Sequence, residues 1–152
     1  MTLDRRSFIK VLGSASGLAL AGCAAQGPVG STTEIMPKGA TRRVVVVGGG
    51  FGGAIAAKYI RMLDKSIEVV LVEQNRQFIS CPFSNFYIAG LMNDMSTLTI
   101  GYDKLAANHG IKMVYGVATA IDPAAKKVVT TEGTLTYDRL IVSPGIDFRN
   151  EE

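Results

Sequence analysis

The chain has 152 residues, about the length of one domain. It is 47% hydrophobic with a net charge of +3, but Arg5, Arg6 and Lys10 against Asp4 supply two of those three charges within the first ten residues. No basic face remains for a polyanion, which argues against a nucleic-acid partner, and two cysteines, Cys23 and Cys81, are too few for a disulfide framework or a zinc site.

In chain order, residues 1–25 read as an export signal. Asp4-Arg5-Arg6-Ser7-Phe8-Ile9-Lys10 is a twin-arginine pattern, followed by a mildly apolar run from Val11 to Ala21 that is too short to span a bilayer. Leu20-Ala21-Gly22-Cys23 fits a lipobox, which would acylate Cys23 and hold the protein at a membrane face; the competing expectation is cleavage after Ala19-Leu20-Ala21. The chain meets a membrane only if Cys23 is lipidated. Residues 26–41, rich in Gly, Pro, Ser and Thr, read as a flexible linker, and residues 42–152 as the folded domain. Arg42 and Arg43 read as residues that merely open the first strand.

Val44 to Val47 is an all-apolar β-branched run, suited to a parallel strand covered on both faces. Gly48, Gly50 and Gly53 then complete G-x-G-x-x-G, with Phe51 and Gly52 between. The first glycine allows a tight turn, the second lets backbone approach a pyrophosphate, and the third brings helix close to strand. The phosphates would lie on the helix N-terminus. Ala56, Ile60 and Leu63, at i, i+4 and i+7, are the expected sheet-facing side of that helix. A second strand, Val69 to Val72, ends at Glu73, twenty residues past Gly53, where a carboxylate can accept from a ribose hydroxyl.

Beyond Gln74 the spacing predicts a short helix with Ser84 as its N-cap, then a helix from Tyr102 to His109 stopped by Gly110, and a third parallel strand from Ile111 to Val114. Val117 to Ile121, Lys127 to Thr131 and Thr134 to Thr136 alternate as an antiparallel meander, with turns at Asp122-Pro123 and Glu132-Gly133. Leu140 to Val142 reads as a buried strand that ends at Ser143-Pro144-Gly145, where a glycine lets backbone reach a cofactor again. His109, the lone histidine, reads as a helix C-terminal residue, and Tyr102, Tyr115 and Tyr137 as core or rim. The fold class is α/β, a Rossmann-like parallel sheet with a βαβ dinucleotide-binding unit and a small antiparallel β-meander. The chain ends soon after a strand, with no substrate site beyond the first half, so the domain reads as truncated at its C-terminus.

Cys81 lies eight residues past Glu73, in the loop leaving the ligand-facing end of the sheet. No second cysteine follows nearby, which excludes a local redox disulfide. The local sequence, Phe78-Ile79-Ser80-Cys81-Pro82-Phe83, fits equally a lone redox cysteine cycling through a sulfenic acid and a cysteine bonded to a flavin ring; an inert buried thiol is the bland alternative.

The run from Arg42 to Asn75, then Cys81, Ser84-Asn85 and Gly90, resembles the flavoprotein subunit of flavocytochrome c sulfide dehydrogenase, and the similarity extends from the twin-arginine signal to Phe148. The resemblance implies the N-terminal FAD half of a two-dinucleotide-binding flavoprotein, with FAD joined covalently through Cys81. The implied cofactor-binding set is Gly48, Gly50, Phe51, Gly52, Gly53, Glu73, Gln74, Cys81, Ala118, Pro144 and Gly145. It also implies periplasmic oxidation of hydrogen sulfide, with electrons passing through FAD to a cytochrome c subunit. The disulfide attacked by sulfide has no counterpart here, so no catalytic residue is assigned within this chain, which alone is expected to hold flavin without turnover. A single-cysteine NADH oxidase or peroxidase, or a coenzyme A disulfide reductase-like flavoprotein, is the runner-up, and export counts against it because NADH is a cytoplasmic reductant. A non-catalytic FAD-binding fragment is the third expectation. Sulfide:quinone reductases are a fourth relative, set aside for want of a quinone-facing tail.

Overall fold

The computed structural model describes residues 33–146. Among the described residues, 33–144 belong to one compact unit. The export signal, the lipobox and residues 26–32 of the expected linker lie outside the described residues.

This unit is built on a four-stranded parallel sheet of order β5-β2-β1-β9, formed by β1 (Arg43–Val47), β2 (Glu68–Glu73), β5 (Lys112–Tyr115) and β9 (Arg139–Val142). The valine run forms β1 because its two faces have different partners. Val44 and Val46 meet Ala57, Val69, Leu71 and Ile111 on the helical side, while Val45 and Val47 meet Val70, Val72, Val128 and Leu135 on the other. Each fully buried valine contributes on the order of 1.5–3 kcal/mol. The helical face is covered by α1 (Phe51–Leu63) and α3 (Asp103–His109). The opposite face is covered by a three-stranded antiparallel meander of β6 (Ala118–Asp122), β7 (Lys127–Thr130) and β8 (Gly133–Thr136). A two-stranded antiparallel ribbon, β3 (Gln77–Ile79) with β4 (Thr99–Gly101), follows β2, and a short helix, α2 (Ser84–Ile88), lies between its strands in sequence. No helix among the described residues is long and apolar enough to cross a membrane.

Four local expectations are corrected. The buried side of α1 is Gly53, Ala57 and Ile60, not Ala56, Ile60 and Leu63; Leu63 is 86% exposed. Gly53 sets the helix against the sheet, so the face is counted from it. Ser84 is the first residue of α2 rather than its cap, and the residue before it, Phe83, turns the chain with a φ of 69°. β9 is not buried, because it is an edge strand among the described residues, with Val142 exposed.

The fourth correction is Arg43, which does more than open a strand. It is fully buried, and its guanidinium pairs with the Glu68 carboxylate, donates to the carbonyls of Met36 at 2.7 Å and Pro37 at 3.1 Å, and reaches Thr136 O at 3.4 Å. One side chain therefore joins β1 to β2, to β8 and to residues 36–37. Within the segment read as a linker, residues 33–36 are tied to the meander. Ile35 N donates to Thr134 O at 3.1 Å, Thr134 N donates to Thr33 O at 2.9 Å, and Ile35 and Met36 pack on the core.

Removing the Arg43 guanidinium leaves Glu68 paired with Lys112 alone and takes the donor from the carbonyls of Met36 and Pro37, so Arg43→Ala should cost about 3 kcal/mol in urea unfolding. Burial alone would raise the Glu68 carboxyl, but hydrogen bonds and charge from Arg43 and Lys112 outweigh it and hold it below its usual 4.5. A depressed folded value means the stabilisation is complete above pH 4.5 and is lost as pH falls through the lower folded value. Glu68→Gln should flatten that acid limb when stability is measured against pH.

Candidate functional site

The site begins where β1 runs out. Gly48 turns the chain with a φ of 98°, a region closed to most side chains, and its N–H donates to Val72 O at 2.8 Å. A Cβ on Gly48 would stand 2.0 Å from Ser143 O and 3.2 Å from Pro144 Cα, which sets the end of β9 beside the turn. A Cβ on Gly53 would stand 1.8 Å from Gly48 O, so the helix touches the turn backbone to backbone. Gly52 faces the Ser143 hydroxyl, 2.9 Å from a Cβ built there.

Gly50 behaves differently. A Cβ there would meet only the Phe78 ring, at 3.6 Å, so its lack of a side chain leaves open room at the start of α1. That helix has no side-chain cap and no acid in its first turn. Its leading N–H groups and the positive end of its dipole are therefore offered to an anion. Phe51 packs edge-on against Phe78 of β3 at 5.0 Å, joining the helix start to the β3–β4 ribbon.

Glu73 ends β2 as expected, yet it already has work within the protein. Its Oε2 accepts from Gly49 N at 2.6 Å and its Oε1 from Asn75 N at 3.0 Å. Each carboxylate oxygen has further acceptor capacity, so a sugar hydroxyl could be added. Tyr102, read from sequence as core or rim, is 4% exposed and donates its hydroxyl to Gly49 O at 3.0 Å. Burial, helped by the charge of Glu73 and by Tyr115, pushes that hydroxyl up to about 12, so it keeps its proton near neutral pH. Gly49 is thus held at both its N–H and its C=O. An aromatic residue just before a helix gave no signal of this role in the sequence.

Two clefts adjoin these elements. One of about 470 Å³ is lined by Glu73, Asn75, Arg76, Phe78 and Tyr102 among others, with the Arg76 guanidinium stacked 4.6 Å from the Tyr115 ring centre. The other, about 340 Å³, is mainly apolar and includes Ser80, Pro82, Phe83, Phe86, Leu98 and Ile100. Ser80 and Pro82 flank Cys81, which is free and exposed rather than buried. The chain reaches Cys81 through β3, an element too short to show in the sequence pattern. Gln74 is exposed beside Glu73. Ala118 opens β6 and packs partly buried against the meander-side core. Gly145 has a φ of 79°, in the left-handed region that favours glycine. His109 closes α3 before Gly110 in the left-handed conformation, and its carbonyl accepts from Arg61 Nε at 2.9 Å. The described residues hold no cluster of His, Cys, Asp or Glu fit for a metal ion.

Residues 42–150 match the family described as pyridine nucleotide-disulphide oxidoreductase. The flavoprotein chain of flavocytochrome c sulfide dehydrogenase from Chlorobaculum thiosulfatiphilum is 69% identical over 45 residues, 30% of this chain and 94% of that sequence. Coenzyme A disulfide reductase of Staphylococcus haemolyticus is 31% identical over 114 residues, 68% of this chain but 26% of its own length. Among solved structures, the sulfide:quinone oxidoreductase of Aquifex aeolicus matches with a TM-score of 0.63 and 27% identity, covering 69% of this chain and 24% of that one. The chain thus spans about a quarter of these two longer relatives.

The two glycines at the helix start should respond in opposite ways. Gly53→Ala forces a methyl into a carbonyl and should cost at least about 1–3 kcal/mol, the range for overpacking, in thermal or urea unfolding. Gly50→Ala meets open room and should stay within about 0.5 kcal/mol of the parent, like an ordinary surface change, while weakening anion binding at the turn measured by calorimetry.

Proposed function

The chain belongs to the pyridine nucleotide-disulphide oxidoreductase family, and from that footing we propose that it is the FAD-binding portion of a periplasmic sulfide dehydrogenase. In this proposal the whole protein oxidises hydrogen sulfide and passes the electrons through FAD to a cytochrome c subunit. The observation that carries it is the 69% identity to a sulfide dehydrogenase flavoprotein chain.

The residues present fit a dinucleotide on physical grounds. The turn lacks side chains where a Cβ would block it, and α1 presents an uncapped N-terminus. The N–H groups of Gly50, Phe51 and Gly52 would hold the pyrophosphate, and Glu73 a ribose hydroxyl, with Gln74 and Ala118 toward the adenosine end and Pro144 beside the first glycine. FAD bound there would accept two electrons at a time and release them singly to a haem. Cys81 is exposed between Ser80 and Pro82 of the apolar cleft, whose Pro82, Phe83 and Phe86 can shield a flat ring from water. Its Sγ is the proposed thioether link. A covalent bond retains the cofactor where free FAD is scarce and mass action gives little occupancy. Since Cys23 and Cys81 are the only cysteines, the disulfide that sulfide attacks is assigned outside these residues. Export through the twin-arginine route would deliver the protein folded around its cofactor.

A coenzyme A disulfide reductase-like flavoprotein is the second reading, favoured by the 31% identity to that enzyme and by the single exposed cysteine. Acid precipitation separates the two. Under the proposal the pellet stays yellow, and Cys81→Ala releases all flavin to the supernatant. Full release from the parent protein, with a sulfenic acid trapped at Cys81, selects the second reading. Replacing Arg5 and Arg6 by lysine should leave the protein in the cytoplasm on fractionation.

A further inference from the structure

We infer that Tyr102 is a positioning residue for phosphate binding, its hydroxyl orienting the Gly49–Gly50 peptide so that the Gly50 N–H faces the anion. This rests on the proposal that a dinucleotide pyrophosphate occupies the turn.

A trans peptide is planar, so its C=O and N–H point in opposite directions. The Gly49 carbonyl accepts from Tyr102 Oη at 3.0 Å, and Tyr102 belongs to the buried cluster beneath the turn, with Val44, Val46 and Leu71. That carbonyl is drawn toward the core, and the Gly50 N–H of the same peptide is directed away from it. The preceding donor is committed, because Gly49 N donates to Glu73 Oε2 at 2.6 Å. The first donor the turn can give a phosphate is therefore the Gly50 N–H, and Tyr102 sets its direction.

The tyrosine is itself held firmly. It caps α3, its ring lies 6.5 Å from that of Tyr115, and a Cβ on Gly49 would stand 2.7 Å from its hydroxyl. Position 49 thus excludes a side chain because the ring sits against it, which gives Gly49 a reason that the motif's own spacing does not supply. A buried tyrosine hydroxyl needs an acceptor in any protein. Here the acceptor is one half of the peptide whose other half faces the ligand, so loss of the bond reaches the anion.

Tyr102→Phe keeps the ring and removes one oxygen. In the 15N-labelled full chain, the Gly50 amide resonance should shift in Tyr102→Phe before any ligand is added. The Kd for inorganic pyrophosphate and for FAD should rise about five- to tenfold, as expected for one hydrogen bond. A purely structural tyrosine would lower the melting temperature and leave both affinities unchanged, and that result overturns the inference. If the parent chain takes pyrophosphate at Gly50 but not FAD, the dinucleotide proposal fails and the role of Tyr102 stands; if it binds neither, both fail. Should Tyr102→Phe not fold, difluorotyrosine at position 102 keeps ring and hydroxyl but ionises at lower pH. Pyrophosphate affinity should then fall with rising pH in that protein relative to the parent; parallel profiles refute the inference.

Discussion

The architecture depends on one contact, the backbone of Gly53 resting on the carbonyl of Gly48, with no room for even a methyl group between them. It brings α1 onto β1 at the closest approach two backbone segments allow, and it decides which residues of the helix meet the sheet. Counting from Gly53 gives Ala57 and Ile60, and the register of buried positions follows. The same contact places the uncapped start of α1 at the end of β1, so the helix dipole and its free N–H groups open where the strand ends. Packing and anion affinity are two results of one steric fact.

Around this contact the protein divides its chemistry between the faces of one sheet. The valines of β1 alternate between a helical layer and a meander layer, each built of buried apolar side chains. At the opposite end of β1 from the glycine turn stands Arg43, whose buried charge is matched by Glu68 and by carbonyls from two other segments. Removing one member of such a group costs more than the group as a whole contributes. Its clearest result is geometric, since residues 36–37, β8 and β2 must all be in register for the guanidinium to be satisfied.

Much of this was legible in the sequence, because it rests on local patterns. The valine runs marked the parallel strands, the glycines marked the turn, and the alternation from Val117 to Thr136 marked the meander. What escaped rests on contacts distant in the chain. Nothing near Arg43 signals that Glu68, twenty-five residues on, will bury it. The face of α1 was set three residues too far along because Ala56, Ile60 and Leu63 and Gly53, Ala57 and Ile60 have equal spacing, and only the glycine contact separates them. The β3–β4 ribbon has three residues per strand, too few for a period to show. Glu73 was found as an acceptor, but its grip on Gly49 required the fold, and so did the hydroxyl of Tyr102 beneath the same residue.

The pairing of residues 33–35 with β8 has a consequence for maturation. A peptidase cutting between Thr33 and Ile35 must break main-chain bonds to Thr134, so this stretch resists trimming as a strand would rather than yielding as a linker.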